Sequence, residues 1–149
     1  MADLAPELLA TARLLTRNED DARDVAQATL ELGLRHLRSL RDPAKLRAWL
    51  FAIEAREASR WRRRLGGAFS LDKAMDELVD PASDAGSVAL RVAIARLPRR
   101  ERFAVALHYL AGLPVRETAV AMRVSENTVK THLRLALQAL REALYDRNT

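Results

Sequence analysis

The chain has 149 residues, of which 49% are hydrophobic, 30% charged and 5% aromatic. It is rich in alanine, leucine and arginine, which favour helices over strands. It contains no cysteine, which excludes disulfides and thiolate metal sites. No apolar run approaches the roughly 20 residues needed to cross a bilayer. We therefore expect an all-α, cytoplasmic protein without membrane insertion.

The charge of the chain is divided into blocks. Residues 1–65 carry 13 Lys/Arg against 10 Asp/Glu, residues 66–86 carry 1 against 5, and residues 87–149 carry 11 against 5. Two basic blocks are thus separated by an acidic connector. A basic surface is the electrostatic signature of a polyanionic partner, since each neutralised phosphate releases condensed counterions. We predict two small helical domains, 1–65 and 87–149, joined by a flexible linker at 66–86.

The first block is predicted to hold three helices. Apolar residues at helical spacing indicate a short helix from Leu4 to Leu15 and a second from Asp21 to about Leu40. The stripe of the second helix is Val25, Leu30, Leu34 and Leu37. Asp42-Pro43 reads as an N-cap followed by proline at the first helical position, so a third helix should extend to about Arg64. In the connector, a short helix at 71–78 is the one element expected.

The second block is predicted to hold four helices. Val88 to Leu97 forms the first, which Pro98 ends, and the next contains Phe103 and Leu107 and ends at Gly112. A brief helix with Val115, Ala119 and Met122 is followed by a turn at Arg123-Val124 and a longer helix. Val129, Leu133, Leu137, Leu140 and Leu144 should face inward along that helix. Two helices of unequal length joined by a tight turn are a helix-turn-helix arrangement.

The helix from Ser125 to Leu137 is the predicted recognition helix. Ser125 is placed as its N-cap, where its hydroxyl can accept a bond from a free amide of the first turn. Outward polar side chains then occupy the N-terminal part, which is the part that enters a major groove. Asn can read adenine, Arg and Lys can read guanine or hold phosphate, and Glu can accept from cytosine. The predicted DNA contacts are Ser125, Glu126, Asn127, Thr128, Lys130, Thr131 and Arg134. The alternative is an ordinary solvated helix face.

Residues Leu97 to Leu144, with the string SENTVKTHL, resemble the promoter-binding region 4 of extracytoplasmic-function (ECF) sigma factors of bacterial RNA polymerase. The string DARDVAQATL, from Asp21 to Leu30, resembles the helix with which their region 2 docks on the polymerase clamp. Pro43 to Arg64, with Trp49-Leu50-Phe51 and a terminal arginine run, resembles the segment that melts and reads the minus-ten element. The resemblance covers about 130 residues.

The resemblance implies a protein that binds core RNA polymerase and promoter DNA and is regulated by an anti-sigma factor. It assigns polymerase binding to Asp21, Asp24 and Gln27. It assigns region 2 contacts with DNA to Lys45, Arg47, Trp49, Arg56, Arg60, Arg62, Arg63 and Arg64. On its residue pattern alone, Trp49 is more typical of core, because it shares a stripe with Leu46, Leu50 and Ile53. Arg123 stands where the family often has a glycine in the turn, and a positive φ there would cost about 1 kcal/mol.

Two other functions fit parts of the sequence. SENTVKTHL also occurs in LuxR-type regulators, which bind DNA without polymerase. Arg23 and Ala28 replace acidic residues of the docking helix, which would suit a sigma-like protein that acts by binding an anti-sigma partner. No nucleotide-binding loop or nucleophile-base pair is visible, and His36, His108 and His132 show no local ligand spacing. We expect neither enzymatic activity, a metal, nor another cofactor.

Overall fold

The computed structural model describes residues 2–16, 18–64 and 85–148, and all regular elements among them are helical. Helices α1 to α3 form the N-terminal domain and α4 to α7 the C-terminal domain, which confirms the all-α class. The helices are α1 (Ala5–Leu15), α2 (Glu19–Arg35), α3 (Leu46–Arg64), α4 (Ala85–Ala95), α5 (Arg99–Val105), α6 (Val115–Met122) and α7 (Glu126–Asn148). The acidic linker, including the expected helix at 71–78, falls almost entirely outside the described residues. Its bounds and those of the domains stay predictions.

Helix α2 begins earlier and ends earlier than its apolar pattern predicts. It begins after Asn18, whose side-chain oxygen accepts a 2.8 Å bond from the backbone N–H of Asp21. It ends at Arg35, and a single 3-10 turn, Leu37–Ser39, follows. Leu34 is 64% exposed and Leu37 is 42% exposed. The apolar stripe of α2 is therefore not buried at these two positions in the part of the chain that the structure describes.

Helix α3 starts as its sequence predicts. The Asp42 carboxylate accepts a 3.0 Å bond from the backbone N–H of Ala44, and a 3-10 turn, Pro43–Lys45, leads into the helix. Leu50 and Phe51 are fully buried, and Ala55 and Ala58 continue the contact one and two turns later. Small residues at these positions let neighbouring helices approach α3 closely.

The helix-turn-helix of the C-terminal domain is confirmed, with one change in its packing. Val129, Leu133 and Leu140 of α7 are buried as predicted, but Leu137 is 42% exposed and Ala136 is fully buried in its place. Four steps of 100° take a side chain 40° past a full turn, so a row of residues spaced by four drifts away from the core. A step of three between Leu133 and Ala136 returns the row to it.

The two domains pack directly against each other. One hydrophobic cluster contains Leu8 and Val25 of the N-terminal domain together with Phe103 and Leu107 of the C-terminal domain. The polar contacts across the boundary come from arginines. Arg102, which is 7% exposed, donates from Nε to the carbonyl of Leu14 at 2.7 Å.

The backbone between α5 and α7 contains two residues at positive φ. A π-helical turn, Ala106–Leu110, extends α5 and ends before Gly112, whose φ is 77°. Arg123 ends α6 at φ 60° and ψ 43°, the left-handed conformation. Its backbone N–H bonds the carbonyl of Val120 at 3.2 Å, and that of Val124 bonds the carbonyl of Ala119 at 3.1 Å. The turn therefore requires a residue in the left-handed backbone conformation, and in this chain that residue is an arginine.

The variant Arg123→Gly is expected to raise the free energy of unfolding by about 0.5–1 kcal/mol. Glycine adopts this conformation without the steric cost that a Cβ imposes, although it also adds entropy to the unfolded chain. Urea unfolding followed by circular dichroism measures the change. Arg123→Ala is the control, since it removes the same side chain and keeps the Cβ. Equal stability of the two variants would contradict a strained turn.

Across residues 2–16, 18–64 and 85–148, no helix is both long enough and apolar enough to pass through a membrane.

Candidate nucleic-acid interface

The N-terminal half of α7 presents one continuous polar surface. The Ser125 hydroxyl oxygen accepts a 3.1 Å bond from the backbone N–H of Thr128, which confirms the predicted N-cap. The Thr131 hydroxyl donates to the carbonyl of Asn127 at 3.0 Å. Ser125, Glu126, Asn127, Lys130, Thr131 and Arg134 are all exposed, and Thr128 is half-buried. Five of the predicted contacts, from Glu126 to Arg134, are thus exposed together on the helix.

The buried side of the same helix holds this surface rigidly. Val129 is fully buried and Leu133 is 6% exposed, and both belong to a cluster with Ala104 and Val105 of α5 and Ala119 of α6. The exposed side chains therefore stand on a helix whose orientation is set by the core of the C-terminal domain. A fixed helix with an exposed N-terminal half is the arrangement by which helix-turn-helix proteins reach base edges.

The predicted DNA contacts on α3 fall into two groups. Arg56 and Arg60 are exposed, and Arg60 pairs with Glu57 at 3.1 Å between Nη1 and Oε1. The Arg60 side chain is 58% exposed, so the pair contributes little to stability and leaves the arginine able to exchange partners. The backbone of α3 continues to Arg64, but the side chains of Arg62, Arg63 and Arg64 lie outside the described residues.

Two residues near the start of α3 make more contacts within the chain than Arg56 and Arg60 do. Lys45 is exposed, whereas Arg47 donates from Nε to the carbonyl of Ala111 at 2.9 Å and also contacts the Glu7 carboxylate. Trp49 is half-buried and packs against the hydrophobic cluster shared by the two domains. In this arrangement Arg47 joins the domains, and Trp49 contributes to packing as its apolar stripe suggests.

The residues matched to polymerase docking lie along α2. Asp24 and Gln27 are exposed one turn apart, and the Gln27 amide donates to Glu31 at 3.1 Å. Asp21 is half-buried, and its Oδ1 accepts a 3.1 Å bond from the indole N–H of Trp61. Asp24 and Gln27 thus form an exposed polar edge, while Asp21 holds α2 against α3.

Sequence reasoning missed a cluster of arginines between the domains. A cleft of about 450 Å³ lies between α2 and α3 on one side and α5 and α6 on the other. We call it the arginine cleft, after its lining residues Arg56, Arg60, Arg99, Arg100 and Arg123. These residues come from segments up to 67 positions apart, from Arg56 to Arg123. No local pattern could have predicted that they meet.

Both halves of the chain match known family models. Residues 1–67 match the model of sigma-70 region 2, and residues 87–140 match that of sigma-70, region 4. The chain is 36% identical over 129 residues to the ECF RNA polymerase sigma factor SigF of Caulobacter vibrioides, covering 83% of this chain and 71% of that protein. It is 30% identical over 142 residues to the ECF RNA polymerase sigma factor SigL of Mycobacterium tuberculosis, covering 89% and 79%.

The fold is also similar to a solved structure. The sigma factor RpoE of Bartonella quintana, in complex with the anti-sigma factor NepR, superimposes with a TM-score of 0.79 at 23% sequence identity. The match covers 95% of this chain and 92% of that one. At this identity the likeness establishes the fold, including the presence of both helical domains.

Proposed function

The chain belongs to the ECF sigma factors, and on that premise we propose that it binds core RNA polymerase and directs it to a specific set of promoters. The observation that carries the proposal is the recognition helix, whose exposed N-terminal half joins base-reading and phosphate-binding side chains on a rigid support. The protein would supply binding free energy and no covalent chemistry, so we propose no enzymatic activity.

The C-terminal domain would bind the minus-thirty-five element. Asn127, Lys130 and Arg134 are exposed on one helix whose cap and core are well defined. Amide and guanidinium groups in this position can pair with adenine and guanine edges in the major groove, and Lys130 can bind phosphate. The exposure of these side chains supports their role in DNA binding.

The N-terminal domain would bind polymerase and open the minus-ten region. Asp24 and Gln27 form an exposed edge on α2, and Arg56 and Arg60 are exposed on α3. Arginines there would give sequence-independent affinity for phosphates, which falls steeply with salt. We assign polymerase contact to the α2 edge and DNA contact to α3.

Partner and location follow from the family. The structure of Bartonella quintana RpoE contains the anti-sigma factor NepR, and we propose that an anti-sigma factor binds the present chain as well. We also propose that the protein acts in the bacterial cytoplasm, where core polymerase and promoters are found. A LuxR-type regulator is disfavoured because it would leave the region 2 match over residues 1–67 without explanation.

In vitro transcription tests the proposed function. Core RNA polymerase, the purified chain and fragmented genomic DNA of the source organism are combined, and the 5′ ends of the transcripts are sequenced. We expect a discrete set of start sites that requires the chain and shares upstream elements. Specific DNA binding without any such transcripts would instead favour a conventional regulator.

The double variant Lys130→Ala, Arg134→Ala is expected to weaken binding to the promoter duplex by about 30-fold or more, because it removes two contacts to a base or phosphate that are each worth about 1–3 kcal/mol. A duplex containing the upstream element found by transcription is titrated at fixed salt and followed by fluorescence anisotropy.

The matched control for that titration removes the same charge elsewhere. Arg91 on α4 and Arg141 near the end of α7 are exposed and lie outside the recognition half of the helix. The double variant Arg91→Ala, Arg141→Ala should bind within about twofold of the parent chain, apart from a small general effect of charge. Similar losses in the two double variants would argue against a recognition role for Lys130 and Arg134.

A further inference from the structure

The arginine cleft concentrates positive charge that carboxylates of the described residues do not balance. Glu57 is the one carboxylate among its described lining residues, and it already pairs with Arg60. Within the described part of the chain, Arg56, Arg100 and Arg123 have no carboxylate within ion-pair distance. Like charges held in one concave site repel each other, and a bound anion removes that repulsion.

Arg123 gives a second, independent indication. It lines the cleft from the left-handed turn between α6 and α7, a position where glycine would be unstrained. A non-glycine residue in such a conformation is a reason to look for a function of its side chain. The DNA-reading surface of α7 does not explain it, because Arg123 precedes the cap and lies with Arg56 and Arg60 in the cleft.

The walls of the cleft are not uniformly polar. Ile53 of α3, Phe103 of α5 and Met122 of α6 also line it, and the Arg99 guanidinium lies 4.9 Å from the centre of the Phe103 ring. Arg99 additionally donates to the Ser59 hydroxyl at 2.6 Å, which holds it in place. Apolar and aromatic groups beside fixed guanidinium groups suit a ligand that has a flat ring and a charged end.

We propose that the arginine cleft binds a free nucleotide with two or more phosphate groups, and that the ligand bridges the two domains. Planar guanidinium groups bind phosphate through paired hydrogen bonds. A volume of about 450 Å³ lies in the range of small-molecule sites. The arginines come from α3 on one side and from α5 and the α6–α7 turn on the other, so a ligand that contacts both sets favours the arrangement in which the two domains pack against each other.

Titration calorimetry with the full chain at 0.15 M salt tests this inference without polymerase. The probes are ATP, GTP, pyrophosphate, inorganic phosphate, a short single-stranded DNA and a hexaglutamate peptide. We expect ATP or GTP to bind with a Kd of about 1–100 μM, more tightly than inorganic phosphate. We also expect it to bind more tightly than the oligonucleotide, which represents phosphate supplied by a nucleic acid.

Two double variants decide whether the cleft is the site. Arg100→Ala combined with Arg123→Gly should weaken nucleotide binding at least about 10-fold, and the glycine keeps the turn in its natural conformation, so folding is retained. Arg91→Ala combined with Arg141→Ala removes the same charge outside the cleft and should change the Kd less than about twofold. A circular dichroism melt of each variant verifies that it is folded.

Four results would overturn the proposal. They are no binding of either nucleotide, equal weakening by both double variants, tighter binding of the hexaglutamate peptide that the cleft variant weakens, and tighter binding of single-stranded DNA that the cleft variant weakens. The first two would mean that the cleft is not a site. The third would identify it as a surface for an acidic protein partner, and the fourth as a nucleic-acid contact.

Discussion

The free energy of unfolding is expected to fall as the pH rises from about 5 to about 9, and the variant Glu54→Gln is expected to lose most of this dependence. Glu54 of α3 is fully buried, and neither carboxylate oxygen has a hydrogen-bond partner among the described residues. Burial raises the pKa of Glu54 from 4.5 to about 9. The folded protein therefore holds this carboxyl in its protonated form at neutral pH.

The sign of the effect follows from proton binding. Because the folded pKa is the higher one, the folded chain binds a proton between pH 4.5 and about 9 that the unfolded chain releases. The contribution is fully present below pH 4.5 and is lost as the pH rises through the folded pKa. The slope has an upper limit of about 1.4 kcal/mol per pH unit. Summed over this pH range, the upper limit of the loss in the free energy of unfolding is several kcal/mol, which is a large part of the stability of a small protein.

The location of Glu54 explains why water does not reach it. It lies seven residues after Arg47 and seven before Trp61, so the three share one face of α3. Arg47 contacts Glu7 of α1, and Trp61 contacts Asp21 of α2. Glu54 therefore lies in the middle of the face that α1 and α2 cover.

Urea unfolding at pH 5.5, 7 and 8.5 measures the dependence. All other titratable groups are the same in both proteins, so the difference between the parent and Glu54→Gln isolates the buried carboxyl. Glu142→Gln, at an exposed position of α7, serves as the control and should follow the parent at all three values. If the free energy of unfolding changed with pH by the same amount in the parent and in Glu54→Gln, Glu54 would not titrate as proposed.

The variant Arg102→Ala is expected to lower the free energy of unfolding by about 2–4 kcal/mol and to separate the two domains. Arg102 donates to the carbonyl of Leu14 at 2.7 Å and to that of Leu97 at 3.2 Å. The Leu14 carbonyl is among the last of α1, which have no partner within their own helix and carry the negative end of its dipole. Alanine would leave both buried carbonyls without this cation.

Two measurements separate loss of stability from loss of the domain contact. Urea unfolding reports the first, and small-angle X-ray scattering reports the second as a larger radius of gyration in the folded range. Arg96→Ala, which removes an exposed arginine just before the same segment, should change neither. An unchanged radius of gyration for Arg102→Ala would mean that the hydrophobic cluster alone keeps the domains together.

Much of the fold could be predicted because its signals are local. Ser125 and Asp42 cap helices through hydroxyl or carboxylate oxygens placed by their own neighbours, and Gly112 ends a helix through its own backbone freedom. The sequence predictions failed where the burial of an apolar residue depends on which other helix packs over it. Leu34 and Leu37 match a helical stripe but are exposed among the described residues, and Leu137 drifts off the face that Ala136 occupies.

The recognition surface could be predicted for the same reason, whereas the contacts between domains could not. The predicted side chains of α7 are neighbours along one helix, so periodicity and a cap are enough to place them together. The burial of Glu54, the contact of Arg102 with Leu14 and the arginine cleft all join residues distant in sequence. The contact of Arg102 with Leu14 and the arginine cleft leave no periodic or spacing signal, and the helical spacing of Glu54 does not by itself indicate that a carboxylate is buried.

Composition, helix caps and apolar spacing by themselves determined that this protein is all-α, with a basic helix-turn-helix, because each depends on a few neighbouring residues. Only the tertiary structure decided that the two domains share a hydrophobic cluster and which charges this contact buries or gathers. The physical reason is that burial and charge balance depend on every helix that surrounds a residue. For Glu54 and Arg123, those helices are far away along the chain.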